Sequence, residues 1–165
     1  MAASDEIREE VIHDEHGHLR EKRLYRGKLL DGEYFSYFNN GQVMAKLFFR
    51  NGKKEGEAES FYRDGQLREK GNFKNDKLEG EYTSYYEDGQ IRESEFYKDG
   101  KLEGVYRIFF RSGHLKDEEN FREGKFEGPY IAYYKNGRLK EKGSFVNDKR
   151  EGEYIAYYKT GVVKE

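Results

Sequence analysis

The feature that most constrains this chain is a glycine that returns at a fixed interval. Glycine occurs every 24 residues, at Gly32, Gly56, Gly80, Gly104, Gly128 and Gly152. We number this glycine position 1 of a repeat. The residues that follow it recur as well, which excludes coincidence. Because self-similarity at a fixed period is the signature of repeat architectures, the sequence predicts a tandem array.

Several other positions of the repeat keep one residue type. Positions 6 and 7 form an aromatic pair, position 10 is glycine, position 12 is aliphatic, position 18 is aromatic, position 22 is lysine and position 24 is glutamate. Position 3 is tyrosine except at Ala58. The register extends backwards to Gly17, Leu19 and Tyr25, which indicates a divergent first repeat. At the other end, the register predicts that Glu165 falls part-way along the second strand of the last repeat.

Turn signals divide each repeat into two strands. Asn40-Gly41 and the equivalent pairs at positions 9 and 10 lie between runs rich in aromatic and branched residues, which predicts hairpins with a type I′ turn. A second turn follows at Asn51-Gly52 and its equivalents. A two-residue first turn would pair position 7 with 12, 6 with 13, 5 with 14, 3 with 16 and 1 with 18. The predicted fold is therefore all-β, an elongated single-layer antiparallel sheet of tandem 24-residue hairpins.

The domain prediction follows the same register. Residues 1–8 match no repeat and are expected to form an unstructured or loosely ordered N-terminus. Residues 9–165 are predicted to be a single repeat domain. It would comprise a divergent first hairpin over 9–31, repeats that start at 32, 56, 80, 104 and 128, and a truncated repeat from 152.

The alternation of side chains assigns two faces to the predicted sheet. One face would carry the core, with tyrosine at position 3, a small residue at position 5, an aromatic ring at position 7 and an aliphatic residue at position 12. On this face the position-18 ring would lie opposite the glycine, whose missing side chain leaves room for it. On the other face, position-6 rings would oppose position-13 cations in a cation–π ladder. The candidate partner-binding face consists of Tyr37, Phe61, Tyr85, Phe109, Tyr133, Tyr157, Arg68, Arg92, Lys116 and Lys140.

Composition limits the partners that such a sheet could bind. Aromatic residues make up 16% of the chain, enough to form a core although 39% of residues are charged. The net charge of -2 arises from closely interleaved acidic and basic residues, which argues against a nucleic-acid footprint. No apolar run approaches the length of a membrane span, and the start of the chain does not resemble a signal peptide.

The pattern Gly-Glu-Tyr-x-x-Tyr-Tyr-x-Asn-Gly, followed by Lys-x-Glu-Gly, resembles the MORN repeat in its bacterial variant form. The resemblance runs from about Gly17 to the end of the chain. It implies an elongated, twisted sheet of hairpins. Some members, the YwqK-type proteins, are assigned as antitoxins; other MORN proteins are scaffolds or have been proposed to contact phosphoinositides. Ala58, Asp76 and Asp148 depart from the pattern.

The sequence offers little for catalysis. His13, His16 and His18 cluster, but they fall on the first hairpin turn, where side chains are expected to diverge, so no metal site is predicted. Glu69, Glu93, Asp117 and Glu141 recur at position 14 and are interpreted as structural hydrogen-bond acceptors, for example for tyrosine hydroxyls. No catalytic motif occurs, and neither catalytic residues nor a cofactor are predicted.

These observations predict a non-catalytic protein-binding repeat protein. An antitoxin or immunity-type role, with a toxin as the partner, is implied by the resemblance alone. The alternatives are a scaffold that assembles end to end with itself and a membrane-associated tether that contacts phosphoinositides. No nucleic-acid partner is expected. A cytoplasmic location is favoured, and export with removal of a signal is the alternative.

Overall fold

The computed structural model describes residues 6–164, and these residues form strands and turns without a helix. The strands are β1 (Ile7–His13), β2 (Leu19–Arg26), β3 (Leu29–Tyr37), β4 (Val43–Arg50), β5 (Lys53–Lys54), β6 (Gly56–Phe61), β7 (Leu67–Lys74), β8 (Lys77–Leu78), β9 (Gly80–Tyr85), β10 (Ile91–Lys98), β11 (Lys101–Leu102), β12 (Gly104–Phe109), β13 (Leu115–Arg122), β14 (Lys125–Phe126), β15 (Gly128–Tyr133), β16 (Leu139–Val146), β17 (Lys149–Arg150) and β18 (Ile155–Ala156). The all-β prediction is confirmed.

The described chain divides into two compact bodies. The N-terminal body contains residues 6–79 with Glu87–Gly89, and the C-terminal body contains Gly80–Tyr86 with residues 90–164. The sequence placed residues 9–165 in one domain. A repeat array can divide into separate bodies because each hairpin contacts only its neighbours and no common core joins all of them.

Within each body, consecutive strands pair antiparallel in a single layer. In the N-terminal body β1 pairs with β2, β2 with β3, β3 with β4, β4 with β6 and β6 with β7. In the C-terminal body β9 pairs with β10, and the same alternation continues through β12, β13, β15 and β16 to β18. The two-residue strands β5, β8, β11, β14 and β17 each close a tight turn onto the strand before them, as Lys53 does with Arg50.

The N-terminal boundary requires a correction. Strand β1 begins at Ile7, and Arg8 pairs with Tyr25 of β2. The prediction that residues 1–8 are loosely ordered is therefore wrong for residues 7 and 8, while residues 1–5 lie outside the described residues. The predicted first hairpin of residues 9–31 includes most of this strand, and its start was missed because it precedes the first recognisable repeat position.

The first turn of each repeat differs from the prediction. Phe38 N–H donates to the carbonyl of Gln42 and Gly41 N–H donates to the carbonyl of Phe38, so the loop is longer than two residues. Gly41 has φ 82°, but Asn40 is not among the residues with positive φ, which contradicts a type I′ turn. Position 6 pairs with position 12, as in Tyr37↔Val43, and position 13 becomes a bulge. The predicted 6–13 and 7–12 pairs are wrong, whereas 5–14, 3–16 and 1–18 are observed.

The second turn is the one with type I′ character. Asn51 and Gly52 have φ values of 50° and 79°, and Asn75 and Asp76 have 50° and 67°. Two consecutive positive φ values define a type I′ turn, which matches the twist of the strands it joins. Asparagine and aspartate tolerate this conformation better than other non-glycine residues, which explains their recurrence at position 20.

Aspartate at position 21 replaces glycine twice, and the structure gives a reason. The Asp76 carboxylate accepts a hydrogen bond of 2.8 Å from the backbone N–H of Lys54 in the preceding repeat. The Asp148 carboxylate accepts an equivalent bond of 2.8 Å from the backbone N–H of Phe126. These departures from the repeat pattern therefore add a contact between neighbouring repeats that glycine could not make.

The position-24 carboxylates make a second contact between repeats. Four of them accept a hydrogen bond from the backbone N–H at position 20 of the following repeat. The pairs are Asp31 with Asn51 at 3.2 Å, Glu55 with Asn75 at 3.0 Å, Glu103 with Glu123 at 2.8 Å, and Glu127 with Asn147 at 2.9 Å. Hydrogen bonds to ionised acceptors are stronger than neutral ones, so the recurrent glutamate stabilises the stacking of turns.

The core is a layer of half-buried rings over small residues. Ala132 is the only fully buried hydrophobic residue among residues 6–164, and Ser36 and Ser84 at the same position 5 are also buried. Rings at positions 3 and 18 contact each other, with centroids 6.0 Å apart in Tyr106–Phe121. Phe126, at position 23, extends this layer to the next repeat, because its ring lies 4.1 Å from that of Phe145.

Position 1 needs glycine because of its backbone conformation. Gly56, Gly80 and Gly104 have φ values of 75°, 86° and 76°. A Cβ placed on any of these three glycines would meet no atom within 4 Å. The prediction that glycine leaves room for the position-18 ring is therefore wrong at these sites, although the glycine does pair with that ring, as in Gly104↔Phe121.

Substitutions of Gly104 can show whether the cost of a side chain there comes from the backbone conformation or from lack of space. Gly104→Ala should lower the free energy of unfolding by about 1–2 kcal/mol, because a Cβ strains the left-handed backbone. Gly104→Asn, although larger, should lower it less, because asparagine tolerates positive φ. Urea denaturation followed by circular dichroism would measure both. Destabilisation that instead grows with side-chain volume would contradict this explanation.

Candidate functional site

The predicted cation–π ladder between positions 6 and 13 is not what the structure shows. The four cations of the candidate face each approach the carboxylate next to them in the sequence. The distances are 3.4 Å for Arg68–Glu69, 3.4 Å for Arg92–Glu93, 3.1 Å for Lys116–Asp117 and 3.3 Å for Lys140–Glu141. The bulge at position 13 removes these residues from the regular pairing, so they no longer oppose the position-6 rings.

Cation–π contacts recur instead at position 7, where in three cases the partner is a cation at position 8 of the following repeat. Arg63 lies 6.0 Å from the centre of the Phe38 ring, Arg111 lies 5.8 Å from that of Tyr86 and Lys159 lies 6.0 Å from that of Tyr134. The sequence contained this signal in its aromatic pairs, but the assumed two-residue turn placed position 7 in the core.

Position-7 tyrosines also join neighbouring repeats by hydrogen bonds. The Tyr86 hydroxyl donates to the Phe109 carbonyl at 2.7 Å, and the Tyr134 hydroxyl donates to the Tyr157 carbonyl at 2.7 Å. Both acceptors belong to position-6 residues of the next repeat. The predicted binding residues Phe109 and Tyr157 therefore have structural roles through their backbones, and partner contact through their rings stays a prediction.

All six position-6 rings are half-buried, and they do not share one environment. The Tyr37 ring stacks on Phe35, with centroids 6.4 Å apart, and lines a cleft of about 340 Å³ with Lys22 and Glu33. Phe61 lines a different cleft together with Arg68. Among the predicted site residues, the structure thus brings Phe61 and Arg68 together, whereas Tyr37 lies elsewhere.

The cleft that contains Phe61 is lined by three aromatic residues, and we refer to it as the aromatic cleft. It has a volume of about 420 Å³ and is lined by Phe38, Phe61, Tyr62, Arg63, Asp64, Arg68 and Glu87. The three rings are half-buried and the four charged residues are exposed. Asn40 fixes one side, because its side-chain amide donates to the Arg63 carbonyl at 3.0 Å. The result is an apolar floor with a charged rim.

The core face of the C-terminal body combines tyrosines with carboxylates. Glu141 accepts hydrogen bonds from the hydroxyls of Tyr130, at 2.7 Å, and Tyr154, at 2.6 Å. The prediction that position 14 supplies acceptors for tyrosine is confirmed here. Although partial burial opposes it, the hydrogen bonds from Tyr130 and Tyr154 lower the pKa of Glu141, which keeps this carboxylate ionised.

Two position-16 carboxylates on this face are perturbed in the opposite direction. Burial, and then the charge of Glu93, raise the pKa of Glu95, although a hydrogen bond from Tyr97 opposes the shift. Burial and the neighbouring charge of Asp117 raise the pKa of Glu119. Perturbed carboxylates can mark acid–base sites, but these line an open sheet face and belong to a repeated pattern, so they do not define a catalytic centre.

The stability contribution of Glu119 should depend on pH. Because its pKa is raised in the folded chain, its ionisation at neutral pH lowers the free energy of unfolding. Glu119→Gln should therefore raise that free energy at pH 7, by less than about 1 kcal/mol for a half-buried carboxylate. The gain should vanish near pH 4, where both folded and unfolded forms are largely protonated.

Glu118→Gln is the matched control for this measurement. Glu118 precedes Glu119 in β13, and its carboxylate accepts a 2.7 Å bond from Arg107. Loss of that ion pair should leave stability unchanged or slightly lower at pH 7. Urea denaturation of both variants at pH 7 and pH 4 would test the assignment. A destabilised Glu119→Gln variant at pH 7 would show that its charge is favourable and contradict it.

The histidine prediction needs a correction. Ligand atoms of Asp14, His16 and His18 lie within 4.8 Å of one another, although side chains at this turn were expected to diverge. The Asp14 carboxylate draws the segment together by accepting bonds of 2.9 Å from the backbone N–H groups of His16 and His18. Burial raises the pKa of Asp14, but these hydrogen bonds outweigh that effect and lower the pKa below its usual value.

Comparison with protein families identifies the chain. The MORN repeat variant matches five segments, at residues 30–51, 54–75, 78–101, 102–123 and 126–147, which together cover more than half of the sequence. The chain belongs to the MORN repeat variant family. This family is a non-enzymatic repeat module whose members generally bind proteins or membranes. Comparison with curated protein sequences finds no match.

Solved structures give only distant similarities. The chain is 13% identical to a chain of the GtfA/B complex bound to UDP and GlcNAc, with a TM-score of 0.26, and covers 23% of it. It is 14% identical to TarM, with a TM-score of 0.31, and covers 20% of it. These alignments cover 80% and 87% of this chain. The chain thus spans about a fifth of the length of either protein.

A protein of unknown function from Bacteroides fragilis NCTC 9343 is also similar. It is 10% identical with a TM-score of 0.18, and the alignment covers 98% of this chain and 90% of that one. Similarities at this level carry no argument about function. Separately, we find no helix among residues 6–164 with the length and apolar composition of a membrane span.

Proposed function

We propose that this chain is a non-catalytic repeat protein that binds another protein through the aromatic cleft. The observation that carries the proposal is the composition of that cleft, in which the half-buried rings of Phe38, Phe61 and Tyr62 are surrounded by exposed Arg63 and Arg68. Binding hot spots of protein interfaces are enriched in aromatic residues and arginine and are enclosed by a polar rim.

The charges of the cleft suit a protein more than an anionic surface. Arg63 and Arg68 are accompanied by Asp64 and Glu87, so both signs are present on the rim. Arg68 already lies 3.4 Å from Glu69. An anionic membrane attracts unbalanced basic clusters, whereas mixed charges fix the orientation of a protein partner. The membrane tether is thus the weaker alternative.

The finer proposal is that the partner is a toxin and the chain its antitoxin. Its support is the resemblance of the repeats to those of antitoxin proteins, and the binding surface is compatible with it. Co-expression with the product of the neighbouring gene would test the role. Growth should be restored by the wild-type chain and not by a variant whose aromatic cleft is altered. Toxicity that neither chain relieves would contradict the antitoxin role.

A photo-crosslinking amino acid in place of Arg63, on the exposed rim, should capture the partner in cells that produce the full chain. Arg111, at the same repeat position in the C-terminal body, provides the matched control site. The captured protein would then be purified and titrated by calorimetry. Phe61→Ala with Arg68→Ala should weaken binding at least tenfold, because a single hot-spot residue contributes about 2 kcal/mol.

Phe109→Ala with Lys116→Ala is the matched control, because these residues occupy the same repeat positions outside the aromatic cleft. It should leave the affinity within about twofold, a difference below 0.5 kcal/mol. Equal losses for the two double variants, or crosslinks at residue 111 alone, would overturn the assignment of the site. Capture of a second copy of this chain would instead support a self-assembling scaffold.

A further inference from the structure

The first hairpin turn carries a side-chain cluster that the proposed binding function does not use. Asp14, His16 and His18 present one ligand atom each, all within 4.8 Å of one another. The two imidazole rings have centroids 6.1 Å apart, and their planes are inclined by 36°. The side chains of His16 and His18 are 70% and 53% exposed, so an ion could reach them from solvent.

The geometry of the turn is held by bonds that do not involve the imidazoles. Asp14 Oδ1 accepts from the backbone N–H groups of His16 and His18, each at 2.9 Å. Asp14 N–H donates to the His18 carbonyl at 2.9 Å, and Gly17 N–H donates to the Asp14 carbonyl at 3.0 Å. The ligand atoms are therefore brought together before an ion binds, which reduces the entropy lost on binding.

We propose that Asp14, His16 and His18 form a surface site for a divalent transition-metal ion of the zinc class. Two imidazole nitrogens and one carboxylate oxygen are a ligand set that suits Zn²⁺, and a water molecule can complete its coordination. Magnesium and calcium prefer oxygen ligands, so they should not compete. The bound ion would link residues on both sides of the turn and stabilise the first hairpin.

Asp14 can serve this site in two ways. Its Oδ2 lies 3.2 Å from His18 Nδ1, which would orient the ring if the ion bound the other nitrogen. Oδ2 also lies 3.2 Å from Arg20 Nε, and that cation competes with a metal ion for the carboxylate. Arg20 is in turn hydrogen-bonded to Asn39. The Arg20 contact therefore weakens the site rather than abolishing it.

The test is calorimetric titration of the full chain, without an affinity tag, with zinc chloride. The wild-type chain should bind one ion, whereas magnesium chloride should give no binding. His16→Asn with His18→Asn should lower zinc affinity at least about tenfold, since even indirect ligand contacts are worth that much. Zinc should also raise the melting temperature of the wild-type chain and not that of the double variant.

His114→Asn is the matched control, because His114 occupies the same repeat position as His18 but lies on a different hairpin. It should bind zinc as the wild-type chain does. Arg20→Gln should bind zinc more tightly, because the competing cation is removed. The proposal is overturned if the wild-type chain binds no zinc, if the double variant keeps wild-type affinity, or if magnesium binds equally well. Both histidine variants are exposed substitutions, and circular dichroism would verify their folding.

Discussion

Hydrogen bonds between adjacent repeats are the interaction on which this fold depends. A single layer of hairpins has no enclosed interior, and Ala132 is the only fully buried hydrophobic residue among residues 6–164. Apolar burial, which dominates the stability of compact domains, is therefore spread thinly over half-buried rings. The carboxylates at position 24, the aspartates at position 21 and the position-7 tyrosine hydroxyls each connect one repeat to the next. Because these bonds recur every 24 residues, the stability of each repeat depends on its immediate neighbours.

This arrangement explains which residues the repeat retains. Position 1 keeps glycine because the backbone there has positive φ. Both residues of the second turn also have positive φ, so positions 20 and 21 keep asparagine, aspartate or glycine, with Glu123 as the exception. Position 24 keeps an acidic residue because a turn N–H of the next repeat needs an acceptor. The histidine cluster occurs on the divergent first hairpin, outside the regular repeats.

Much of the fold could be predicted from the sequence, because its period, its turn residues and its aromatic positions all repeat. The pairing of Gly56 with Phe73 and of Ser60 with Glu69 followed from counting residues back from the turn. The count failed at position 13. The first turn is longer than two residues and creates a bulge there, which no residue type in the sequence indicates. This single error placed Arg68 opposite Phe61 and hid the contact between Arg63 and Phe38.

The predicted pairing of position-6 rings with position-13 cations failed for a related reason, whereas the partner-binding face itself stays a prediction. The sequence grouped Tyr37 with Phe61 because they share a repeat position, but their surroundings depend on neighbouring repeats that differ in sequence. The sequence showed the clustered histidines but not their convergence, because the hydrogen bonds by which Asp14 folds the turn back appear only in the structure. Repetition predicts the scaffold well, and it predicts poorly what distinguishes one repeat from another.

The central claim is that contacts between neighbouring repeats hold the array together, and amide hydrogen exchange tests it most directly. Exchange would be measured by mass spectrometry for the wild-type chain and for Glu127→Ala, which removes the acceptor of the 2.9 Å bond from the Asn147 N–H. We expect faster exchange in the turn around Asn147 and in the adjoining strands β16 and β17, with the N-terminal body unchanged. Unchanged exchange at Asn147, or a uniform increase along the whole chain, would contradict the account.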